Sequence, residues 1–187
     1  MNRTIITGDA QIPGIIGKKN AIVFGVLWLL TFITYLPAVK AGWVFDSAGW
    51  LYNIRNLSFW HYVNNSQSGI PSLYQFTQLT TYLFYKLFHA NAYAWHTLMV
   101  TMHAVNSFLF FIICNRLFTD SGIKNGFSIA IAGVILYTVC PHVSEVIVWE
   151  AAFHYLQGFL LILLVLFCVQ KFHNRQLKKY AWCAGII

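Results

Sequence analysis

Six side chains join acid, base or cation chemistry to a place beside an apolar run: Asp46, Arg55, His142, Glu145, Glu150 and His154. Asp46 stands in AGWVFDSAGW, between Phe45 and Ser47 and flanked by Trp43 and Trp50. A carboxylate among aromatic residues at a membrane edge is costly unless it is solvated, paired or put to use. Two readings stay open from the residues alone. Asp46 caps the helix that follows, because an Asp ahead of a helical run accepts from free N–H groups, or it is a functional carboxylate.

The second group lies in PHVSEVIVWEAAFH. Glu150 and His154 are four apart and share a helix face if a helix starts that early. His142, Glu145, Glu150 and His154 have the donor atoms of a metal site, but no HExxH or other fixed spacing accompanies them. No metal or other cofactor is therefore expected, a divalent cation being the one candidate; the plain reading is a pair of solvated carboxylates. His96 and His103 are seven apart, hence on one helix face with Asn106, and read as hydrogen-bonding glue between helices. Cys114, Cys140, Cys168 and Cys183 have no paired spacing and read as small apolar fillers.

The elements that must position these groups are set by composition. The chain has 187 residues, 58% hydrophobic, 18% aromatic and 9% charged, with a mean hydropathy of +0.61. Soluble domains carry about 25% charged residues, so a soluble enzyme, a disordered tail and a disulfide scaffold are all excluded. The formal charge is +7, but the bases sit beside apolar runs, where they set orientation in a bilayer and do not mark a nucleic-acid partner.

A spanning helix needs about 20 mostly apolar residues. Runs of that kind are predicted over about 21–39, 92–114, 126–140 and 153–170, with the start of a fifth at 180–187. The sequence thus reads as a single membrane domain over 1–187, the N-terminal part of a longer protein. With the N-terminus cytoplasmic, nine bases (Arg3, Lys18, Lys19, Arg116, Lys124, Lys171, Arg175, Lys178, Lys179) lie inside and three (Lys40, Arg55, Lys86) outside. Asp46, Glu145 and Glu150 then share the outer face with Trp43, Trp50, Trp60, Trp95 and Trp149.

The segment from Lys40 to Asn91 is too aromatic for a disordered linker. Trp50, Ile54, Leu57 and His61 recur at helical spacing, predicting a short helix over Trp50–His61 on the outer leaflet. NNSQSGIPS then breaks the chain. A second amphipathic helix is predicted over Leu73–Phe88, with Leu73, Phe76, Leu83, Phe84 and Leu87 on one arc and Tyr74, Gln75, Gln78, Tyr82 and Tyr85 on the other. The expected fold is all-α: a polytopic transmembrane helix bundle with interfacial amphipathic helices in its first outer loop.

The order of these features (a span, WVFDSAGW, surface helices, PSLYQFTQLTTYLFYKLFHANAYAWHTLMVTMHAVNSFLFF leading into the second span, and P-H-V-S-E-V-I-V-W after the third) resembles the N-terminal part of the GT-C superfamily of integral-membrane glycosyltransferases. It is most similar to the protein O-mannosyltransferase-like branch, over about residues 21 to 170. The resemblance implies an enzyme that moves a sugar from a polyprenyl-phosphate carrier to an acceptor on the outer face, in a multi-pass protein of the bacterial inner membrane. Its acidic residue in the first outer loop, which acts as catalytic base or orients the acceptor, falls on Asp46. Many members have two adjacent acids there, whereas this chain has Asp46 followed by Ser47. The resemblance includes Glu145 and so favours it over Glu150. Glu145, Glu150, His142, His154 and Arg55 are the expected substrate-binding residues. Lys40, Arg55 and Lys86 are the only outer bases available to a departing phosphate, and each also reads as a charge that contacts lipid headgroups. Two other functions fit the pattern: a polysaccharide ligase or polymerase using polyprenyl-diphosphate glycans, which calls for more outer Arg than Arg55, and a non-catalytic scaffold or transporter subunit, which calls for ionisable groups inside the spans.

Overall fold

Pro37 ends the first apolar helix before it is long enough to cross a bilayer alone. In the computed structural model, which describes residues 17–44, 47–64 and 75–175 (side chains to 172), α1 runs Lys18–Thr34 and α2 runs Leu36–Val39. Proline has no N–H for the carbonyl four residues back, and the chain leaves the helix at Tyr35 (φ −105, ψ 16). The span expected over 21–39 is thus two helices. The 17 residues of α1 reach roughly 26 Å, against about 30 Å of hydrocarbon.

α6, Ala92–Asp120, is the axle of the fold: α1, α7 and α9 all pack on it. Asn91 caps it, its Oδ1 accepting from the Ala94 N–H at 3.2 Å. The helix extends six residues beyond the predicted end at Cys114, to a stop that uses Gly122 at φ 68. Its buried polar groups bond to neighbouring helices. His103 Nε2 donates to the Thr138 carbonyl at 3.1 Å, and Asn106 Nδ2 donates to the Leu156 carbonyl at 3.0 Å. Leu27, Phe111, Ala130 and Val134 join α1, α6 and α7 in one core cluster; Tyr35, Ala38, Val39, Val100 and Ile147 form another toward the opposite end of α6.

The third expected span departs from the prediction. α7 covers Gly126–Thr138, and α8 follows over Pro141–Val148 at a 53° bend. The stretch read from sequence as a plain connection is helical because Pro141 sits in the first turn, where its fixed φ favours a helix and its missing N–H costs nothing. A 3₁₀ turn, Glu150–Ala152, then leads into α9, Phe153–Arg175.

The helix expected over Trp50–His61 is two: α3, Ser47–Asn56, and α4, Phe59–Asn64. Ser58 turns its side chain back to the chain at His61, its Oγ lying 3.4 Å from the His61 N–H, and so starts the second helix. α5 covers Gln75–Phe88; the break expected over Asn64 to Ser72 lies, after Asn64, outside the described residues, as does the start of a fifth span. Tyr62 of α4 bonds to Thr81 of α5 at 3.1 Å, and burial pushes its hydroxyl above the ordinary phenol range.

Among the described residues the chain is helical, without strands. Two helices, Ala92–Asp120 and Glu150–Phe172, are long and apolar enough to cross a membrane, or three if the bent α7–α8 pair forms one span.

Candidate functional site

The polar centre of the molecule gathers at the N-terminal end of α6, from three separate segments. Glu150 enters from the 3₁₀ turn and is 1% exposed. Ser47, the first residue of α3, donates its hydroxyl to Glu150 Oε2 at 2.6 Å and also lies 2.6 Å from the Val44 carbonyl. His96, on the first turns of α6, places Nε2 3.0 Å from Glu150 Oε1 and 3.3 Å from the Gly42 carbonyl. Both neighbours of that nitrogen are acceptors, so it carries the proton. Its N–H lies along the Gly42 direction, and Glu150 Oε1 sits off that axis, in ion-pair range without an aligned hydrogen bond.

A carboxylate taken from water needs partners, and Glu150 finds them in Ser47 and His96. The rest of the group keeps unspent capacity: among the described residues, His96 Nδ1 and Glu150 Oε1 are buried without a hydrogen-bond partner.

Aromatic rings fix the segment around Ser47 from both sides. Trp50 meets Trp95 edge-on at 5.0 Å, and Trp43 stands 6.4 Å from each of them. Trp43 Nε1 donates to the Ala90 carbonyl and Trp95 Nε1 to the His89 carbonyl. Indoles that bury their rings and bond their N–H hold a loop firmly. Residues 43 and 50 are thus both anchored to the start of α6, and residue 47 to Glu150.

The sequence candidates separate on this frame. Asp46 lies outside the described residues; the residue after it, Ser47, is the one bonded to Glu150. Glu145 and His142 are exposed on α8, and Arg55 is exposed near the end of α3. The glutamate joined to the first loop is therefore Glu150, not the Glu145 that the resemblance favours. His154 is half-buried and turns Nδ1 to the Ala151 carbonyl at 3.0 Å. Among the described residues no three His, Cys, Asp or Glu side chains come together to hold a metal ion, so His142, Glu145, Glu150 and His154 do not form the cation site that their donor atoms allow. Ser47 and His96 carry no motif. The signal for His96 is its spacing to His103 and Asn106 on one face of an apolar helix, which predicts hydrogen bonding between helices but not the partner Glu150.

Compared with protein-family models, curated proteins and solved structures, the chain matches none of them. Its functional reading rests on its own residues.

Proposed function

We propose that this chain is a membrane domain of a polytopic glycosyltransferase that takes a sugar from a polyprenyl-phosphate carrier and passes it to an acceptor on the outer face of a bacterial inner membrane. The observation that carries this reading is the bond from Ser47 to Glu150. It ties Ser47, the first residue of α3, to the junction of α8 and α9, and so brings the segment after the first apolar helices to Glu150. The N-terminus is cytoplasmic in this reading, because nine bases against three fall on that side.

The chemistry follows from where a lipid-linked sugar sits, with its tail in the bilayer and its phosphate at the surface. Asp46 takes the proton of an acceptor hydroxyl as the oxygen attacks the anomeric carbon. The bond from that carbon to the phosphate oxygen breaks, and polyprenyl phosphate leaves toward Lys40, Arg55 or Lys86. These three are exposed, Lys86 with its ammonium over the Tyr82 ring at 5.1 Å. Glu150 orients the loop through Ser47, and Glu145 and His142, exposed on α8, are available to the substrate.

The burial of Glu150 also suits a scaffold, in which the Ser47–Glu150–His96 group only holds helices together. Donor turnover separates the two. Protein expressed from its complete reading frame and reconstituted in phospholipid vesicles should release polyprenyl phosphate from radiolabelled polyprenyl-phosphate mannose or glucose when an acceptor extract is added. A scaffold leaves both donors intact.

A further inference from the structure

α5 wears its polarity inside out. At one flank Thr77 donates to Gln157 of α9 at 2.7 Å, and Gln157 Nε2 donates to Thr80 at 2.9 Å. At the other, Thr81 meets Tyr62, while Leu79, Tyr82 and Tyr85 pack on the cluster of Ile54, Tyr62 and Val63. The face left over carries Phe76, Leu83 and Leu87, which are 53%, 52% and 69% exposed. Residues at i, i+7 and i+11 make a single stripe along a helix. A helix in water turns such a stripe to the core and its hydroxyls outward; α5 does the reverse.

Its contacts also give its level. The helix Glu150–Phe172 has 23 residues, roughly 34 Å, against about 30 Å of hydrocarbon. Gln157 lies seven residues in, so it sits roughly 8 Å below the hydrocarbon boundary at the Glu150 end if that helix spans. Thr77 is at that level. Further along α5, Phe84 meets Phe153 at 5.9 Å, and Phe88 meets Trp95 at 6.1 Å. The partners move from Gln157 back to the starts of α9 and α6, so α5 climbs from its N-terminal end toward the surface. The stripe also resembles that of α9, where Tyr155, Ile162, Leu166 and Val169 are exposed along one face.

We propose that α5 is seated within one leaflet, with Phe76, Leu83 and Leu87 on lipid acyl chains, Phe76 deepest and Leu87 shallowest. The occupant of the stripe is lipid: the hydroxyls are spent on Gln157 and Tyr62, both flanks of the helix are occupied by protein, and the remaining face is apolar at hydrocarbon depth. The proposal rests on Glu150–Phe172 crossing the membrane and is independent of any sugar transfer.

The test uses the complete protein with its cysteines replaced by alanine, one nitroxide placed in turn at Phe76, Leu83, Leu87 and Leu166, and vesicles of phosphatidylcholine and phosphatidylglycerol. All four positions are exposed, so the labels leave the packing intact. Collision with oxygen should exceed collision with a water-soluble nickel chelate at all of them, with the oxygen-to-nickel ratio on α5 rising severalfold from Leu87 through Leu83 to Phe76. Nickel dominating at Leu83 while Leu166 stays oxygen-rich overturns the seating of α5 and leaves the α9 span standing. Low collision with both reagents at the α5 sites means protein covers the stripe, and also overturns it. Nickel dominating at Leu166 removes the span itself, and the proposal with it.

Discussion

Ser47 Oγ and Glu150 Oε2, 103 residues apart in sequence, are joined by a buried 2.6 Å hydrogen bond. The bond links the segment that follows the first apolar helices to the turn that starts α9, and His96 holds the other carboxylate oxygen in ion-pair range. Removing the carboxylate should hurt more than removing the hydroxyl. Glu150→Ala leaves Ser47 and His96 facing a void and should cost about 3 kcal/mol or more; Ser47→Ala should cost about 1–2 kcal/mol; Glu150→Gln keeps an acceptor for Ser47 but turns its NH2 toward the His96 N–H, and should cost less than Glu150→Ala. Thermal unfolding of the detergent-solubilised variants checks the order, and an additive Ser47→Ala/Glu150→Ala pair speaks against the bond.

At Gly126 the first turn of α7 lies close against Phe118 of α6. A Cβ there would lie 2.7 Å from the Cβ of Phe118, whereas a Cβ at Gly133 would meet nothing within 4 Å. Gly126→Ala should therefore destabilise by about 1–3 kcal/mol through overpacking, and Gly133→Ala should be neutral or gain up to about 1 kcal/mol from helix propensity. The same unfolding assay decides it; equal effects at the two sites contradict the close approach.

The apolar segments were legible because hydrophobic length is a one-dimensional signal, and α1, α6, α7 and α9 begin or run within a few residues of the predicted positions. What sequence missed is what depends on neighbours. Pro37 was visible, yet the run around it was read as one span. Pro141, just past the expected end of the third span at residue 140, opens α8. Period puts Phe76, Leu83 and Leu87 on one arc of α5 but does not say which arc meets protein, and Phe84, placed with them, packs on Phe153 and Trp95. The Tyr and Gln side packs, through Tyr82 and Tyr85, on α3 and α4. Of the candidate residues, Glu150 could not be ranked above Glu145, since the difference is made by Ser47 and His96, two residues without a motif.

The topology has its own check. A cysteine at Ser68 should react with an impermeant maleimide added outside intact cells, and one at Gln176 should not, because the bases divide nine to three between the two sides. Equal labelling of both contradicts the shared outer face.

The central claim is that Asp46 removes a proton during sugar transfer. Asp46→Asn keeps the shape of the side chain and removes its basicity, so it tests the chemistry without disturbing Ser47. The deciding measurement is the rate of sugar transfer from radiolabelled polyprenyl-phosphate mannose or glucose, whichever the reconstituted parent protein consumes, by Asp46→Asn at matched protein levels and unchanged melting temperature. The rate should fall by about 10²-fold or more, while Glu145→Gln, altering a residue exposed on α8, should act mainly on KM. A rate for Asp46→Asn near that of the parent contradicts the assignment.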